Sequence, residues 1–157
     1  SIDLGAKFDG YHGDNAATFA CGDVSSEAKR LMDTTRESLY EGIRAACAGG
    51  RIGDIGHAVQ SYVEARGYSV VRQFVGHGVG THLHEAPEVP NFGTPGRGIR
   101  LMPGMTIAIE PMVNAGGYDV KVQPDGWTVL TKDGSLSAHF EHTIVITADG
   151  PKIMTVV

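Results

Sequence analysis

Four carboxylate residues and one histidine stand out because their types and spacing could hold metal ions. They are Asp3, Asp14, His77, Glu110 and Glu141. Oxygen-rich sites with one or two histidines suit paired Mn, Fe, Co or Zn ions. Four negative charges balance two divalent cations, and two such ions that share a water lower its pKa toward neutrality. Taken together, these residues predict a hydrolase with two metal ions.

The two aspartates lie on a predicted N-terminal hairpin. Residues 2–8 alternate between apolar and polar side chains, and Asp9-Gly10 marks a turn. A loop over residues 7–10 places Asp3 directly opposite Asp14, with Cβ atoms about 5 Å apart. Like charges so close are destabilising unless a cation lies between them. The alternative interpretation is that both are solvated surface residues.

The two glutamates lie inside apolar segments. Glu110 occurs in residues 106–113 (TIAIEPMV), and Glu141 occurs in residues 138–146 (AHFEHTIVI). A carboxylate in such a strand is rarely buried without a cation or an arginine. The alternative is that each lies on the solvated face of a one-sided antiparallel sheet. The alternation of side chains supports this alternative weakly for Glu141, whose face also carries His139 and Thr143. It supports it poorly for Glu110, whose face carries Thr106 and Ala108.

A loop rich in glycine and histidine, residues 76–87 (GHGVGTHLHEAP), supplies the imidazole. Glycines on both sides of His77 allow close backbone approach and leave the imidazole free to reach a ligand. The loop has neither the Walker pattern nor the dinucleotide spacing, and no cysteine for a thiolate zinc site. His82 is interpreted as part of a solvated loop. Structural or surface roles are expected for the remaining histidines, His12, His57, His139 and His142.

Two helices and a series of strands must position these residues. Ser25 is a predicted N-cap for a helix of roughly twenty residues that ends at Gly49-Gly50. Its apolar face is expected to be Met32, Leu39, Ile43 and Cys47. A second helix is predicted from about Asp54 to Arg66, with Gly67 as its stop and an apolar side formed by Ile55, Val59, Tyr62 and Val63.

Strand patterns account for the rest of the chain. A second strand of the hairpin is predicted over residues 11–21, and further strands over residues 68–75, 105–113 and 137–147, before a last strand over residues 153–157. Turns are predicted at 124–126 and 133–134. A hairpin, two helices and an antiparallel meander define an α+β fold with helices segregated against one sheet.

Composition narrows the class of protein. The chain has 157 residues, which suits one domain, and 13 basic against 18 acidic residues give a net charge of −5. This balance argues against nucleic acid as the main partner. Two cysteines are too few for a disulfide framework and favour a reducing cytosol, and Cys47 is interpreted as a core residue. No apolar stretch approaches the ~20 residues of a membrane span.

Several motifs in order along the chain resemble methionine aminopeptidase of type I. They are residues 2–3 (ID), 9–14 (DGYHGD), 76–80 (GHGVG), 84–87 (HEAP), 109–113 (IEPMV), 125–128 (DGWT), 131–138 (TKDGSLSA) and 140–143 (FEHT). The resemblance covers the whole chain and preserves the separation of the two aspartates. It implies the pita-bread fold, largely its second half, and removal of the initiator methionine from nascent polypeptides in the cytoplasm, with ribosome association as a further expectation.

The resemblance also implies a role for each site residue. Asp3 would ligate one of two divalent ions, His77 and Glu110 the other, and Asp14 and Glu141 would bridge both. The ions would be Co, Mn, Fe or Zn.

The remaining implied roles concern catalysis and the substrate. Glu110 would take the proton from the metal-bound water, and His84 would contact the substrate near the scissile peptide. Trp127 and Leu83 would line the methionine side-chain pocket, where Leu83 replaces the aromatic residue common in the family.

The resemblance implies that family members carry a further half before the residues that match this chain. Residues 1–157 are expected to be a single catalytic metallopeptidase domain that is N-terminally incomplete, with its missing half on the same chain or on another polypeptide. Family members carry a further catalytic histidine in that half. The chain starts in a strand pattern without an initiator methionine, which agrees with this expectation.

Two alternatives stay open. A proline-specific peptidase of the same fold shares the metal residues but not, as a rule, the DGWT and SLSA segments. A non-catalytic binding module could keep the fold, but such relatives usually lose metal ligands, whereas this chain keeps all five.

Overall fold

The computed structural model describes residues 1–156, which form two helices and twelve strands. The helices are α1 (Ser26–Ala45) and α2 (Ile52–Glu64). The strands are β1 (Ile2–Phe8), β2 (Tyr11–Ala17), β3 (Ser69–Val70), β4 (Gly76–Gly78), β5 (Glu85–Val89), β6 (Thr106–Ile109), β7 (Met112–Asn114), β8 (Val120–Val122), β9 (Val129–Thr131), β10 (Ser137–His139), β11 (His142–Thr147) and β12 (Gly150–Ile153).

The strands form antiparallel sheets, which confirms the predicted α+β class. A five-stranded sheet has the order β12-β11-β6-β4-β5, and a three-stranded sheet has the order β10-β7-β3. The pairs β1-β2 and β8-β9 are separate two-stranded hairpins. Both helices contribute to the core beneath the two larger sheets, where Leu39 and Ile55 pack with Ile107, and Val59 packs with Val113.

The first helix begins as predicted. The Ser25 hydroxyl accepts a hydrogen bond from the Ala28 amide at 3.1 Å, which caps the N-terminus. Its C-terminus differs, because the amides of Ala46 and Cys47 bond to carbonyls only three and two residues back, so the helix tightens and stops before Gly49-Gly50. Cys47 therefore lies outside the helix and is exposed, and its assignment to the core is wrong. Neither helix of residues 1–156 has the length and hydropathy needed to cross a membrane.

The second helix begins and ends two residues earlier than predicted, at Ile52 and Glu64. Of its predicted apolar positions, Ile55, Val59 and Val63 are nevertheless buried, and Tyr62 is half-buried. Their spacing of four residues keeps them on one face wherever the helix starts. The apolar pattern therefore located the buried face more accurately than the helix ends.

The N-terminal hairpin has a different register from the predicted one. Asp9 and Gly10 alone form the loop, both with positive φ (47° and 88°), as a type I′ turn requires. This tighter turn pairs Asp14 with Gly5, so the predicted direct pairing of Asp14 with Asp3 is wrong. The shift is two residues, and side chains alternate with period two, so both aspartates still lie on one face as diagonal neighbours.

Four predicted strands are shorter or interrupted. Only residues 69–70 of the 68–75 segment form a strand, and β2 ends at Ala17. The 105–113 segment breaks after Ile109, because Pro111 has no amide hydrogen to donate to a ladder. The 137–147 segment breaks at the facing position, residues 140–141. Each break holds one of the two glutamates.

Strand β1 is exposed along its entire length. It pairs only with β2 among residues 1–156, so its outer edge carries unpaired backbone groups, and Leu4 is 69% exposed beside it. Such an apolar edge is a template for pairing with another chain.

We therefore expect the 157-residue chain to self-associate through β1. Leu4→Lys, on the face opposite Asp3, should weaken the association constant, measured by size-exclusion chromatography with light scattering over a concentration series, by roughly tenfold, about 1.4 kcal/mol. The matched control is Leu130→Lys, which charges a half-exposed leucine on β9. Equal association of both variants and the unsubstituted chain would show that β1 is not the contact.

Candidate metal centre

Five predicted ligand residues converge from four separate places in the fold. The structure contains three groups whose candidate ligand atoms lie within 4.8 Å of one another. The groups are Asp3-Asp14-Glu141, His77-Glu110-Glu141 and Asp14-His77-His84. Because Glu141, Asp14 and His77 each belong to two groups, the three groups form one continuous cluster.

The two strand breaks bring the glutamates together. Strand β6 pairs with β11 and strand β7 pairs with β10, so the two breaks lie side by side where the chain passes from one sheet to the other. The Phe140 amide donates to the Pro111 carbonyl at 3.3 Å across this step. Glu110 and Glu141 thus leave the ladder at the same point. The alternative of two solvated glutamates on a sheet face is wrong, since Glu141 is only 2% exposed and Glu110 lies in the cluster.

Backbone hydrogen bonds attach the aspartate hairpin to this step. The Thr143 hydroxyl accepts from the Asp14 amide and donates to the Asp14 carbonyl, both at 2.8 Å. The Glu141 amide donates to the Ala16 carbonyl, also at 2.8 Å. These bonds fix β2 against β11, so Asp14 and Glu141 face the same small space.

The His77 ring is oriented by a backbone carbonyl. Its Nδ1 lies 2.9 Å from the Gly78 carbonyl oxygen, which can only accept, so Nδ1 carries the hydrogen. In the neutral ring Nε2 then presents a lone pair. Nε2 lies 3.5 Å from Glu110 Oε1 and 3.7 Å from Asp14 Oδ2. A histidine held through its other nitrogen is the arrangement that metal-ligating histidines adopt.

The acidic side chains repel one another in this space. Burial, followed by the charge of Glu110, raises the pKa of Glu141 to about 9. Burial, followed by the charge of Asp3, also raises the pKa of Asp14. No arginine or lysine is hydrogen-bonded or ion-paired to these carboxylates in residues 1–156. Four closely spaced carboxylates, of which Asp14 and Glu141 are buried, with one oriented imidazole fit hard or borderline divalent cations, so the residues fit the metal site that the sequence predicts.

The predicted substrate residues lie around the cluster at different depths. His84 is exposed, and its ring centroid is 4.2 Å from that of His77. Leu83 is half-buried and packs against Gly5 of the hairpin. Trp127 is 88% exposed and lines an open cleft of about 770 Å³ that also reaches Asp3 and Glu110.

His139 was assigned a structural or surface role from sequence, and the structure places it at the site. Its Nε2 lies 3.5 Å from Glu110 Oε2, is buried and has no hydrogen-bond partner within residues 1–156, while the residue lines the cleft. Alternation offered a signal, because His139 precedes Glu141 by two residues on one predicted strand. The break at residues 140–141 directs both side chains toward the cluster.

The raised pKa of Glu141 predicts a pH dependence for the metal-free chain. An acid whose pKa rises on folding stabilises the fold below its unfolded pKa of about 4.3, and this stability is lost as pH rises toward 9. Metal-free Glu141→Gln should therefore melt about 4 °C or more above the unsubstituted chain at pH 8 and show a flatter profile.

The measurement is thermal denaturation from pH 5 to pH 9 after verified metal removal. Glu88→Gln, at an exposed position on β5, is the matched control and should follow the unsubstituted chain. Parallel profiles for Glu141→Gln and the unsubstituted chain would contradict the burial argument.

Comparisons with known proteins identify the family of this chain. The metallopeptidase family M24 model matches residues 1–148. Methionine aminopeptidase of Clostridium perfringens is 55% identical over 157 residues, which are all of this chain and 63% of that protein. Methionine aminopeptidase 1 of Bacillus subtilis is 56% identical over 155 residues, which are 99% of this chain and 62% of that protein.

Solved structures show the same fold. The crystal structure of methionine aminopeptidase from Thermotoga maritima matches with a TM-score of 0.96 and 50% identity, over 99% of this chain and 62% of that one. Prolidase from Pyrococcus furiosus, at 24% identity, matches with a TM-score of 0.78 over 99% of this chain and 40% of that one, which shows the fold alone. The predicted pita-bread fold is confirmed. The chain spans slightly under two thirds of these aminopeptidases, and it belongs to metallopeptidase family M24.

Proposed function

We propose that this chain carries the catalytic centre of a methionyl aminopeptidase, which hydrolyses the N-terminal methionine from nascent polypeptides. The observation that carries the proposal is the convergence of Asp3, Asp14, His77, Glu110 and Glu141 in one cluster beside an open cleft. The 55% identity to the methionine aminopeptidase of Clostridium perfringens supports methionine as the residue removed.

The donor groups support a site for two divalent ions. Asp3 would hold one ion, and His77 with Glu110 would hold the other. Glu141 belongs to the groups on both sides, and Asp14 lies in the Asp3 group while also facing His77 Nε2, so these two would bridge. When bound, Co, Mn, Fe or Zn would neutralise the carboxylates and lower the pKa of a shared water.

Glu110 is the proposed proton acceptor in peptide hydrolysis. Its carboxylate lies between His77 Nε2 and His139 Nε2, each at 3.5 Å, and it is exposed to the cleft. These imidazoles limit the directions in which the carboxylate can turn. Glu110 can therefore accept a proton at a defined position and pass it to the departing amine.

His84 is the proposed substrate contact. The two groups that include Glu141 use all five predicted ligands, and these ligands do not require His84. Unlike buried His77, His84 is exposed, so its imidazole can hydrogen-bond to the substrate carbonyl as negative charge develops there.

The cleft is the proposed methionine side-chain pocket. Its apolar lining includes Phe74, Met112, Val120 and Trp127, which suit a thioether side chain. The Asp125 carboxylate accepts from the Trp127 and Thr128 amides at 3.0 and 2.9 Å, which fixes the turn that presents the indole. Leu83, beside the hairpin, is proposed as a second contact.

The proposed substrate has consequences for the partners of the chain. Residues 1–157 would act as one catalytic domain, assisted by a further segment in cis or in trans that corresponds to the additional length of the relatives. Substrates that are nascent N-termini place the enzyme in the cytoplasm, near the ribosome.

A peptide-release assay tests the function. The Co²⁺-loaded protein should release methionine from Met-Ala-Ser and leave Xaa-Pro peptides intact, with activity at least 100-fold lower for Asp14→Asn. The assay uses the chain alone and the chain fused to the additional segment of the Thermotoga maritima relative, with higher turnover expected for the fusion. Preference for Xaa-Pro peptides would identify a proline-specific peptidase instead. A protein that neither binds metal nor cleaves either peptide would be a non-catalytic binding module.

A pair of histidine variants tests the division of roles. His77→Ala should lose metal, whereas His84→Ala should retain metal and lose about 100-fold in rate, because one positioned polar contact to the substrate is removed. Elemental analysis after dialysis measures the metal, and methionine release measures the rate.

His82→Ala is the control for this pair, since His82 is highly exposed on the same loop and should affect neither quantity. Loss of metal in His84→Ala with retention in His77→Ala would reverse the assignment.

A further inference from the structure

Asn91 is a polar side chain with no exposed surface, in the segment that follows β5. A buried amide is costly unless it is hydrogen-bonded. Its Nδ2 donates to the main-chain carbonyl of Glu110 at 3.1 Å. Because a carbonyl only accepts, this contact also fixes which end of the amide is the nitrogen. The bond joins two segments separated by 19 residues.

Glu110 is a position where the sheet provides little support. The β6 ladder ends at Ile109 and the β7 ladder begins at Met112, so Glu110 lies in the gap between them. The next residue, Pro111, has no amide hydrogen. The Asn91 amide therefore supplies a donor where regular strand pairing is interrupted. It fixes the main chain that carries the Glu110 carboxylate.

The Asn91 segment is itself fixed by helix α2. A Cβ added at Gly56 would lie 2.7 Å from the Pro90 carbonyl oxygen and would also clash with the Phe92 carbonyl oxygen. The backbone on both sides of Asn91 therefore rests directly on the helix. The Gly93 amide, in addition, donates to the side chain of Gln60 on the same helix at 3.2 Å.

We infer that Asn91 is a positioning residue for Glu110, which transmits the fixed position of helix α2 to the metal centre. This inference rests on the proposed function, since it concerns how Glu110 is held to bind a metal ion. Residues that support a ligand from behind commonly change metal affinity by 10–100-fold when they are substituted. Asn91 does not touch the ions or the substrate and acts through the Glu110 backbone.

The chain offers a matched control in Asn114. This residue is also fully buried, and its Nδ2 donates to a main-chain carbonyl, that of Gly117, at 2.9 Å. Gly117 is not part of any candidate ligand group in residues 1–156. Asn91→Leu and Asn114→Leu each remove one buried amide donor while keeping the branched shape of the side chain, and the added volume is the same in both variants. Both should lower the melting temperature of the metal-free chain by similar amounts.

The test is titration with Co²⁺, followed by calorimetry and by the visible absorption of the bound ion. Asn91→Leu should bind Co²⁺ 10–100-fold more weakly than the unsubstituted chain, with an altered absorption band. Asn114→Leu should bind within about threefold of the unsubstituted chain. Asn91→Ser, whose hydroxyl is too short to reach the Glu110 carbonyl, should reproduce the loss and serves where Asn91→Leu does not fold.

Two results would overturn the inference. Either both Asn91 variants bind Co²⁺ as tightly as the unsubstituted chain, or Asn114→Leu loses as much affinity as Asn91→Leu, which would make the effect one of general stability. Failure of the unsubstituted chain to bind Co²⁺ would contradict the proposed metal site, and the inference with it. Binding by the unsubstituted chain that persists in the Asn91 variants contradicts the positioning role alone.

Discussion

Mutual repulsion among closely spaced carboxylates is the constraint on which this structure depends. Asp3, Asp14, Glu110 and Glu141 meet in one small space, and no arginine or lysine among residues 1–156 is paired with them. A fold without cations would gain by separating them. This geometry is the one expected of the proposed metal site, because bound cations would offset the repulsion, and backbone contacts hold the carboxylates together.

Two breaks in the strands keep the glutamates close together despite their repulsion. A continuous strand directs alternate side chains to opposite faces and would separate acidic residues between core and solvent. At residues 110–111 and 140–141 the chain leaves one sheet and enters the next, and both glutamates project at that step. The hairpin with the two aspartates is then attached by the Thr143 hydroxyl to the strand that follows Glu141. The candidate ligands on these strands therefore lie at irregular backbone positions, which the regular strands on either side hold in place.

Sequence reasoning succeeded where the physical signal was periodic or chemical. The Ser25 cap follows from local hydrogen bonding and is confirmed, and spacing correctly located Leu39 and Ile43 on the buried face of α1 and Ile55, Val59 and Val63 on that of α2. The five candidate ligands were selected by residue type, because a carboxylate in an apolar segment is rarely buried without a cation or an arginine. The structure brings all five together. The predicted aspartate pairing was wrong in register, yet an error of two residues preserves the face on which a side chain lies.

Other features depend on contacts between distant segments, which no local pattern encodes. Cys47 follows the helical spacing but lies beyond a C-terminus that tightens early. His139 approaches Glu110 only because two separate breaks face each other. Asn91 is an ordinary loop residue by type, and its amide acquires a partner only when helix, loop and sheet assemble.

The contact at Gly56 limits how this protein can be stabilised. Glycine in a helix interior costs about 1 kcal/mol relative to alanine, so Gly→Ala is a routine route to higher thermal stability. At Gly56 the alanine methyl group would displace the backbone that carries Asn91. Helix α2 therefore keeps a residue of low helix propensity at position 56, because the facing loop leaves no space for a side chain. Thermophilic adaptation or engineering of this fold must find its gains elsewhere, or change the helix and the facing loop together.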